Sequence, residues 1–245
     1  MAMGNRLAPL RIVLCRPSHP GNIGAAARAM KAMGLSDLRL VAPERYPAPE
    51  AQWMATNAGD VLDRATVHST LQEAIGDCVA AFALSARPRE WSPQVLDVRS
   101  AAGRAVEMND TVAFVFGNET AGLTNEEMFA CQFLVHIPAN PEFSSLNLAQ
   151  AVQVVAYEVR MCVDVAMPFA RVEKRATVED LEGLYTHLED AATKSGFMAP
   201  NSRLRERWRR LFSRVPAMER EEVNIMRGLL KTLMSRRNGT HEPKE

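Results

Sequence analysis

Gly21-Asn22-Ile23-Gly24-Ala25-Ala26-Ala27-Arg28-Ala29 follows closely on the apolar run Arg11-Ile12-Val13-Leu14-Cys15. A β-branched run, a short polar break and a helix of small residues together read as a buried strand turning into a helix. Gly21 and Gly24 permit close backbone approach, Asn22 can cap, and the alanines keep the first helical turns narrow. Free amides at such a helix start attract an anion. The segment is therefore expected either to seat an anionic ligand or to be a tight turn packed for its own sake. It also delivers one arginine, Arg28, to the end of a core strand. Ile23 stands where a dinucleotide fingerprint needs glycine, and the chain has no Gly-Lys-Ser/Thr phosphate loop.

Outward from this segment, strand-like and helix-like stretches alternate over the first 165 residues. Apolar, β-branched runs occur at Arg11–Cys15, Leu38–Ala42, Val79–Ser85, Thr111–Phe116 and Phe133–Ile137, with a weaker one at Thr66–His68. Helical patterns lie between them at Asn22–Met33, Leu71–Asp77 and Arg99–Met108. The alternation predicts an α/β fold with a mainly parallel sheet covered on both faces. A long, largely apolar helix is expected over Leu146–Met167, stopped by Pro168, and its length invites a partner.

Residues 168–177 are proline-interrupted and charged, as in a linker, so the body is read as 1–167 and a helical extension as 178–245. The extension shows helical patterns at Val178–Lys194, Ser202–Arg214 and Met218–Arg237, ahead of a frayed end. In the middle pattern Arg203, Arg207, Arg210 and Arg214 share one face, beside an apolar stripe of Leu204, Trp208, Leu211 and Phe212 that is expected to pack. The net charge of zero hides an asymmetry. Residues 1–170 hold 13 Lys and Arg against 17 Asp and Glu, whereas 171–245 hold 16 against 12. A basic appendage on a slightly acidic body suits a catalytic domain with a separate polyanion-binding element.

The composition, 47% hydrophobic and 24% charged, is that of an ordinary globular chain, without an apolar run long enough to span a membrane or a signal-peptide core. Cys15, Cys78, Cys131 and Cys162 lie far apart, mostly within apolar runs. They read as reduced core residues of a cytoplasmic protein, not as a metal knuckle or disulfide framework. His68, His136, His187 and His241 show no ligand spacing and read as core or solvated residues, while His19 could line a site. Trp53, Trp91 and Trp208 are expected to pack.

Three polar or small-residue loops follow strands: Ser85-Ala86-Arg87-Pro88-Arg89, Gly117-Asn118-Glu119-Thr120-Ala121-Gly122, and Pro138–Asn147. Ligands of open α/β sheets sit beyond the carboxyl ends of the strands, so these loops would form a pocket. Gly117 would let a ligand touch backbone, and a valine there is expected to crowd the ligand path while leaving the fold intact. Ser145 is placed to cap the long helix, with Asn147 as a two-way hydrogen bonder in its first turn.

GNIGAAARAMKAMG (21–34), FGNETAGLTNEE (116–127) and IPANPEFSSLNLAQAVQVVAYEVR (137–160) resemble the three motifs of the SPOUT ribose 2'-O-methyltransferases of the TrmH type. The likeness extends over nearly the whole chain. It implies a sheet with a deep C-terminal trefoil knot, an exception to the rule against knots, and a homodimer with active sites near the subunit interface. It implies S-adenosylmethionine in the knot, contacted by Leu84, Ser85, Ala86, Gly117, Ile137, Ser144, Ser145, Leu146 and Asn147. No metal is implied. The members most similar to this chain methylate the ribose of cytidine or uridine at nucleotide 32 of the tRNA anticodon loop. By motif position Arg28 is catalytic, with Asn22 and Glu119 as secondary positioning residues. Arg203, Arg207, Arg210 and Arg214 are the RNA-binding candidates. Many relatives carry arginine where Asn118 stands.

The reaction so implied needs no covalent enzyme intermediate, and much of its acceleration comes from aligning two bound reactants. Holding arginine neutral near pH 7 spans at least ~5 pKa units, or roughly 7 kcal/mol, so Arg28 reads as a clamp on phosphate and developing alkoxide, not a literal base. Methylation of another tRNA or rRNA nucleotide and a non-catalytic RNA-binding role are the alternatives. Arg28, Gly117, Ser145 and Asn147 weigh against the latter, and the missing glycine fingerprint weighs against an oxidoreductase.

Overall fold

The structure is a computed structural model and describes residues 7, 9–86, 94–165, 175–198, 203–214 and 218–238. Seven strands form one sheet: β1 (Leu10–Cys15), β2 (Asp37–Val41), β3 (Thr66–His68), β4 (Ala80–Leu84), β5 (Gln94–Asp97), β6 (Val112–Phe116) and β7 (Phe133–His136). Their order is β3-β2-β1-β6-β4-β7-β5 and every pairing is parallel. The last strand, β7, is thus inserted between β4 and β5, an interleaved order that fits a knotted path. The β4–β5 connection on which a knot would turn includes residues 87–93, outside the described set, as do Arg87–Arg89 of the first loop and Trp91.

β1 shows why the sheet is covered on both faces. Leu10, Ile12 and Leu14 enter one core layer with α1 (Pro20–Met33), α2 (Pro49–Ala55), α5 (Val98–Met108) and α7 (Leu148–Val165). Val13 and Cys15 point the other way, into a second layer with α4 (Leu71–Ile75) and α6 (Asn125–Ala130). A short helix α3 (Gly59–Asp63) follows α2 through a single 3-10 turn at Thr56–Ala58. Arg11, also on β1 and buried, is the polar exception. Its guanidinium donates to both Asp77 oxygens at 2.6 and 3.0 Å, to Asp37 at 2.9 Å and to the Ala74 carbonyl at 2.9 Å, so the buried charge is fully compensated.

Four elements are absent from the sequence reading: β5, α2, α3 and α6. Gln94–Asp97 is a short, largely exposed edge strand with one half-buried residue, so no apolar run announces it. α6 did have a legible signal, since Thr124-Asn125-Glu126-Glu127 is a capping box with both reciprocal hydrogen bonds formed.

The C-terminal helices are α8 (Val178–Ser195), α9 (Leu204–Phe212) and α10 (Arg220–Asn238). They share a small core of Leu181, Leu184, Tyr185, Met218 and Val223, with Trp208 and Phe212 packed on it. Leu211 departs from the expected apolar stripe and is exposed, so α9 docks through a narrower edge than its sequence suggests. The helices are tied to the body by main-chain hydrogen bonds from Val178 N to the Cys78 carbonyl (2.6 Å) and Glu179 N to that of Gly76 (3.2 Å). Residues 168–174 of the expected linker, Ser202, and the expected frayed end from 239 onward lie outside the described residues.

Candidate active site at the carboxyl edge of the sheet

The β4, β6 and β7 loops meet, as expected for the carboxyl ends of parallel strands. They enclose a cavity of about 240 Å³. Its walls are Leu84, Phe116, Val135, Ile137, Leu146, Leu148 and Ala151, and its polar edge includes Ser85, Asn118, Thr120, Ser144 and Ser145. Of the candidate cofactor contacts, Leu84, Ser85, Ala86, Gly117, Ile137, Ser144, Ser145 and Leu146 line it.

Asn147 is not in the lining. Its side-chain carbonyl accepts from Ala149 N at 3.0 Å and its main-chain carbonyl from Ala151 N at 2.9 Å, so Asn147 caps α7. The expected cap at Ser145 is thereby corrected: Ser145 lies two residues upstream, on the cavity wall. The amide of Asn147 donates to Asn22 Oδ1 (3.0 Å), and Asn22 Nδ2 donates to Glu119 (2.9 Å). Three sequence motifs are joined by two hydrogen bonds, which fix the orientation of both amides.

Glu119 lines the cavity and closes this relay at its other end. One carboxylate oxygen accepts from Ser18 N and Ser18 Oγ, each at 2.9 Å; the other accepts from Asn22 and from His19 N at 3.3 Å. Burial works against ionisation, but the Asn22 and Ser18 hydrogen bonds overcome it and hold the Glu119 pKa down at about 2. The anion expected at the start of α1 is therefore supplied by the protein itself. Pro20 occupies the first helical turn and His19 makes no side-chain cap; the Glu119 carboxylate takes up the main-chain amides of Ser18 and His19 just ahead of the helix and the Asn22 side chain within it. A carboxylate this acidic is an organiser of the loop and a poor proton acceptor at neutral pH.

Backbone contacts set the shape. A Cβ on Gly117 would lie 2.1 Å from the Gly122 carbonyl carbon and 2.2 Å from Leu123 N. Glycine is required there by the loop folding on itself, which corrects the expectation that a side chain would only crowd a ligand. Gly24 plays the same part between helices, since its Cβ would fall 2.0 Å from the Ala51 carbonyl oxygen of α2. The small residues of the first motif thus serve helix packing. Asn118 pins its own loop, accepting from Thr120 N (2.9 Å) and Ala121 N (3.1 Å) and donating to the Arg16 carbonyl (2.8 Å). Arg16, which the sequence reading did not single out, pairs through two nitrogens with Glu127 (3.1 and 2.7 Å) and donates to the Gly122 carbonyl (3.2 Å).

Arg28 does not line the cavity. It is exposed on α1 and makes no hydrogen bond or ion pair among the described residues. Trp53 of the neighbouring α2 is 72% exposed, correcting the expectation that it packs. On α9 and just beyond its two ends, Arg203, Arg207, Arg210 and Arg214 are all exposed. The intervening arginines face inward, Arg205 onto α8 and Arg209 onto both α8 and the body. Arg209 donates to Glu182 (2.6 Å for Nη2) and to the Phe129 carbonyl of α6 (3.0 Å), and lies over the Tyr185 ring; Arg205 pairs with Glu189 at 2.5 Å.

Cys15, Cys78 and Cys131 are buried and Cys162 half-buried, with burial pushing each thiol up, Cys78 to about 12, so none is a ready nucleophile. Thr66 Oγ1 lies 2.8 Å from the His68 ring, His136 lies near the Ser85 carbonyl, and one ring nitrogen of His187 is buried without a protein partner. His241 lies outside the described residues. Among the described residues no cluster of three or more His, Cys, Asp or Glu is arranged to hold a metal ion, and no helix is long and apolar enough to cross a membrane.

Comparison with known proteins agrees with this geometry. Residues 9–157 match the SpoU rRNA Methylase family, and residues 179–242 match the C-terminal domain of the tRNA methyltransferase TrmJ. The tRNA (cytidine/uridine/adenosine-2'-O-)-methyltransferase TrmJ of Pseudomonas aeruginosa is 47% identical over 237 residues, 90% of this chain and 92% of its own. The tRNA (cytidine/uridine-2'-O-)-methyltransferase TrmJ of Escherichia coli K12 is 43% identical, covering 95% of this chain and 98% of its own. The crystal structure of TrmJ from Z. mobilis ZM4 superposes with a TM-score of 0.80 at 38% identity, over 91% of this chain and 98% of that one.

Proposed function

This chain belongs to the SpoU rRNA Methylase family, and from that premise we propose that it transfers a methyl group from S-adenosylmethionine to the ribose 2'-hydroxyl of cytidine or uridine at nucleotide 32 of the tRNA anticodon loop. The observation that carries the reading is the cavity at the carboxyl ends of β4, β6 and β7, lined by Glu119, the end of the Asn147–Asn22–Glu119 relay. At about 240 Å³ it is near the lower end of small-molecule sites, which run from ~300 Å³ upward. Its chemistry suits the donor. Apolar walls from Leu84, Ile137 and Leu146 would take an adenine ring, and Ser85, Ser144 and Ser145 would meet ribose hydroxyls.

When bound, S-adenosylmethionine supplies a methyl group on a positively charged sulfur. The chain supplies position and field. The relay holds Asn22 and Asn147 in fixed orientations behind Glu119, which lines the cavity and stays ionised while locking the second loop to the start of α1. Arg28 is an exposed guanidinium without a protein counter-ion among the described residues, which leaves its donors for a phosphate and for the alkoxide that develops as the 2'-oxygen attacks. Two copies of the chain work together as a homodimer; the exposed Tyr157 and Met161 on α7 support a helix-to-helix contact between them. The outward arginines of α9 bind tRNA backbone away from the reacting ribose.

The test is methyl transfer to unmodified tRNA transcripts, followed by nucleoside mass spectrometry of defined fragments. The expected product is 2'-O-methylcytidine or 2'-O-methyluridine at nucleotide 32. Methyl groups on bases, or no product with any tRNA, contradict the proposal.

A further inference from the structure

Trp53 is the largest of the exposed apolar side chains: it is 72% exposed, and Met54 beside it is 50% exposed. A tryptophan carries ~150–250 Å² of surface that folding normally hides in a core or an interface. Nothing described in this chain hides it, and Trp53 makes no hydrogen bond or ring contact among the described residues. Its helix is nonetheless firmly placed. Ala51 and Ala55 of α2 are buried against α1, where Gly24 brings the two backbones together, so Trp53 is turned outward from a helix that main-chain contact holds still. The exposed pair also adjoins the candidate site. A Cβ on Gly21 would lie 3.5 Å from Met54 Cγ, and Gly21 immediately precedes Asn22 of the relay. Arg28 stands further along the same face of α1 as Gly21.

From this placement we propose that Trp53 is a stacking platform for an unpaired base of the tRNA loop that carries the acceptor ribose, with Met54 against the edge of that base. The inference rests on the function proposed above and names a further contact by which that substrate is held. Charge and continuity identify the occupant. On the α1 side stands the exposed guanidinium of Arg28, without a protein counter-ion among the described residues. On the other side the exposed Arg45 lies 3.7 Å from Glu50, which precedes Trp53 and Met54 by one turn on the same face of α2. An aromatic face between two guanidinium groups matches a single strand, which presents π-faces and phosphates together. The chemistry asks for such a surface as well. A ribose hydroxyl is free for attack once its part of the loop leaves its own stack, and an aromatic side chain replaces the stacking so lost. Every base has a π-face, so Trp53 holds the loop in place without reading its sequence.

Fluorescence of 2-aminopurine, a base that is quenched when it stacks, reads the contact directly. Placed at each position of the anticodon loop in turn, in an otherwise unmodified tRNA, it should be quenched at one position or more on binding full-length parent protein. Trp53→Leu should abolish that quenching. Leucine is apolar without an aromatic face, and position 53 is exposed, so melting temperature and S-adenosylmethionine affinity should stay parental. The variant should raise the dissociation constant for tRNA at least ~5-fold, and Trp53→Phe should recover most of the loss. The log-affinity versus log-salt slope should not change, because no phosphate contact is removed. If the parent methylates tRNA while Trp53→Leu keeps parental quenching and affinity, the stack is overturned and the reaction stands. A flattened salt slope, or a variant that separates into monomers, also overturns it, assigning the face to phosphate contact or to a second copy. Parent protein that neither binds nor methylates any tRNA overturns the proposed function and the stack together.

Discussion

The two ends of the molecule are held together by different physics. At the cavity the tolerances are set by main chain on main chain: Gly117 against Gly122 and Leu123, Gly24 against Ala51, and a carboxylate whose oxygens are all engaged by local donors. At the C-terminal unit, α9 is seated by long side chains, Arg205 and Arg209 reaching Glu189 and Glu182 across partly exposed ground. Backbone contacts fix positions to a fraction of an ångström and tolerate no added atom. Ion pairs between long side chains hold a helix in place but yield to salt and rearrangement. The difference suits the proposed roles, a site that aligns two reactants and an appendage that follows a charged backbone.

The comparison breaks most sharply at Gly117. Gly117→Ala should cost at least ~1–3 kcal/mol through overpacking and abolish cofactor binding together with it. A variant with parental melting temperature and parental cofactor affinity by calorimetry would show that the loop is not set by backbone contact. Next is Arg28, which the scaffold does not use. Arg28→Ala should slow methyl transfer by ~10²–10³-fold while cofactor affinity and melting temperature stay unchanged. Arg28→Lys, keeping charge without the planar fork, should recover only part of the rate.

Within α9 the inward and outward arginines should separate. Arg209→Ala removes charged hydrogen bonds each worth ~1.5–3 kcal/mol, so it should loosen the helical unit and lower stability, less so in high salt. The double reversal Arg207→Glu with Arg210→Glu should leave cofactor affinity alone. It should raise the Michaelis constant for all tRNAs and flatten the log-affinity versus log-salt slope by ~1.4–1.8. An unchanged slope would assign the outward arginines to solubility alone.

The smallest effect is the acid limb of Glu119. Its pKa is depressed in the folded state, so its contribution to stability is complete above the ordinary value of 4.5 and is lost as pH falls toward about 2. Glu119→Gln has no such charge to lose. Its melting temperature should therefore fall less than the parent's between those two pH values, a difference visible in paired thermal scans.

How much of this was legible in the sequence depends on what kind of contact encodes it. The six strands read from the sequence are all present; five are buried parallel strands that must be apolar on both faces, and β3, the weakest run, is an exposed edge strand. Gln94–Asp97 was missed because an exposed edge strand carries no such run. The second and third motifs line the cavity, yet they give no hint that Asn147 and not Ser145 caps α7, since both residue types cap well. Nothing in Arg205 or Arg209 distinguishes them from Arg207 and Arg210 until the helix is seated on Glu182. Gly117 reads as an opening for a ligand and is a closure between backbones; at Gly24, where ligand seating and tight packing were both open, the close approach to Ala51 is packing.

The central claim is that one ribose hydroxyl, at nucleotide 32, is the acceptor. It is tested most directly with a tRNA transcript carrying a single 2'-deoxynucleotide at position 32, compared with the all-ribose transcript under saturating S-adenosylmethionine. The account predicts methyl incorporation into the all-ribose tRNA and none into the 2'-deoxy-32 tRNA, with both competing equally for binding. Equal incorporation into the two would contradict it.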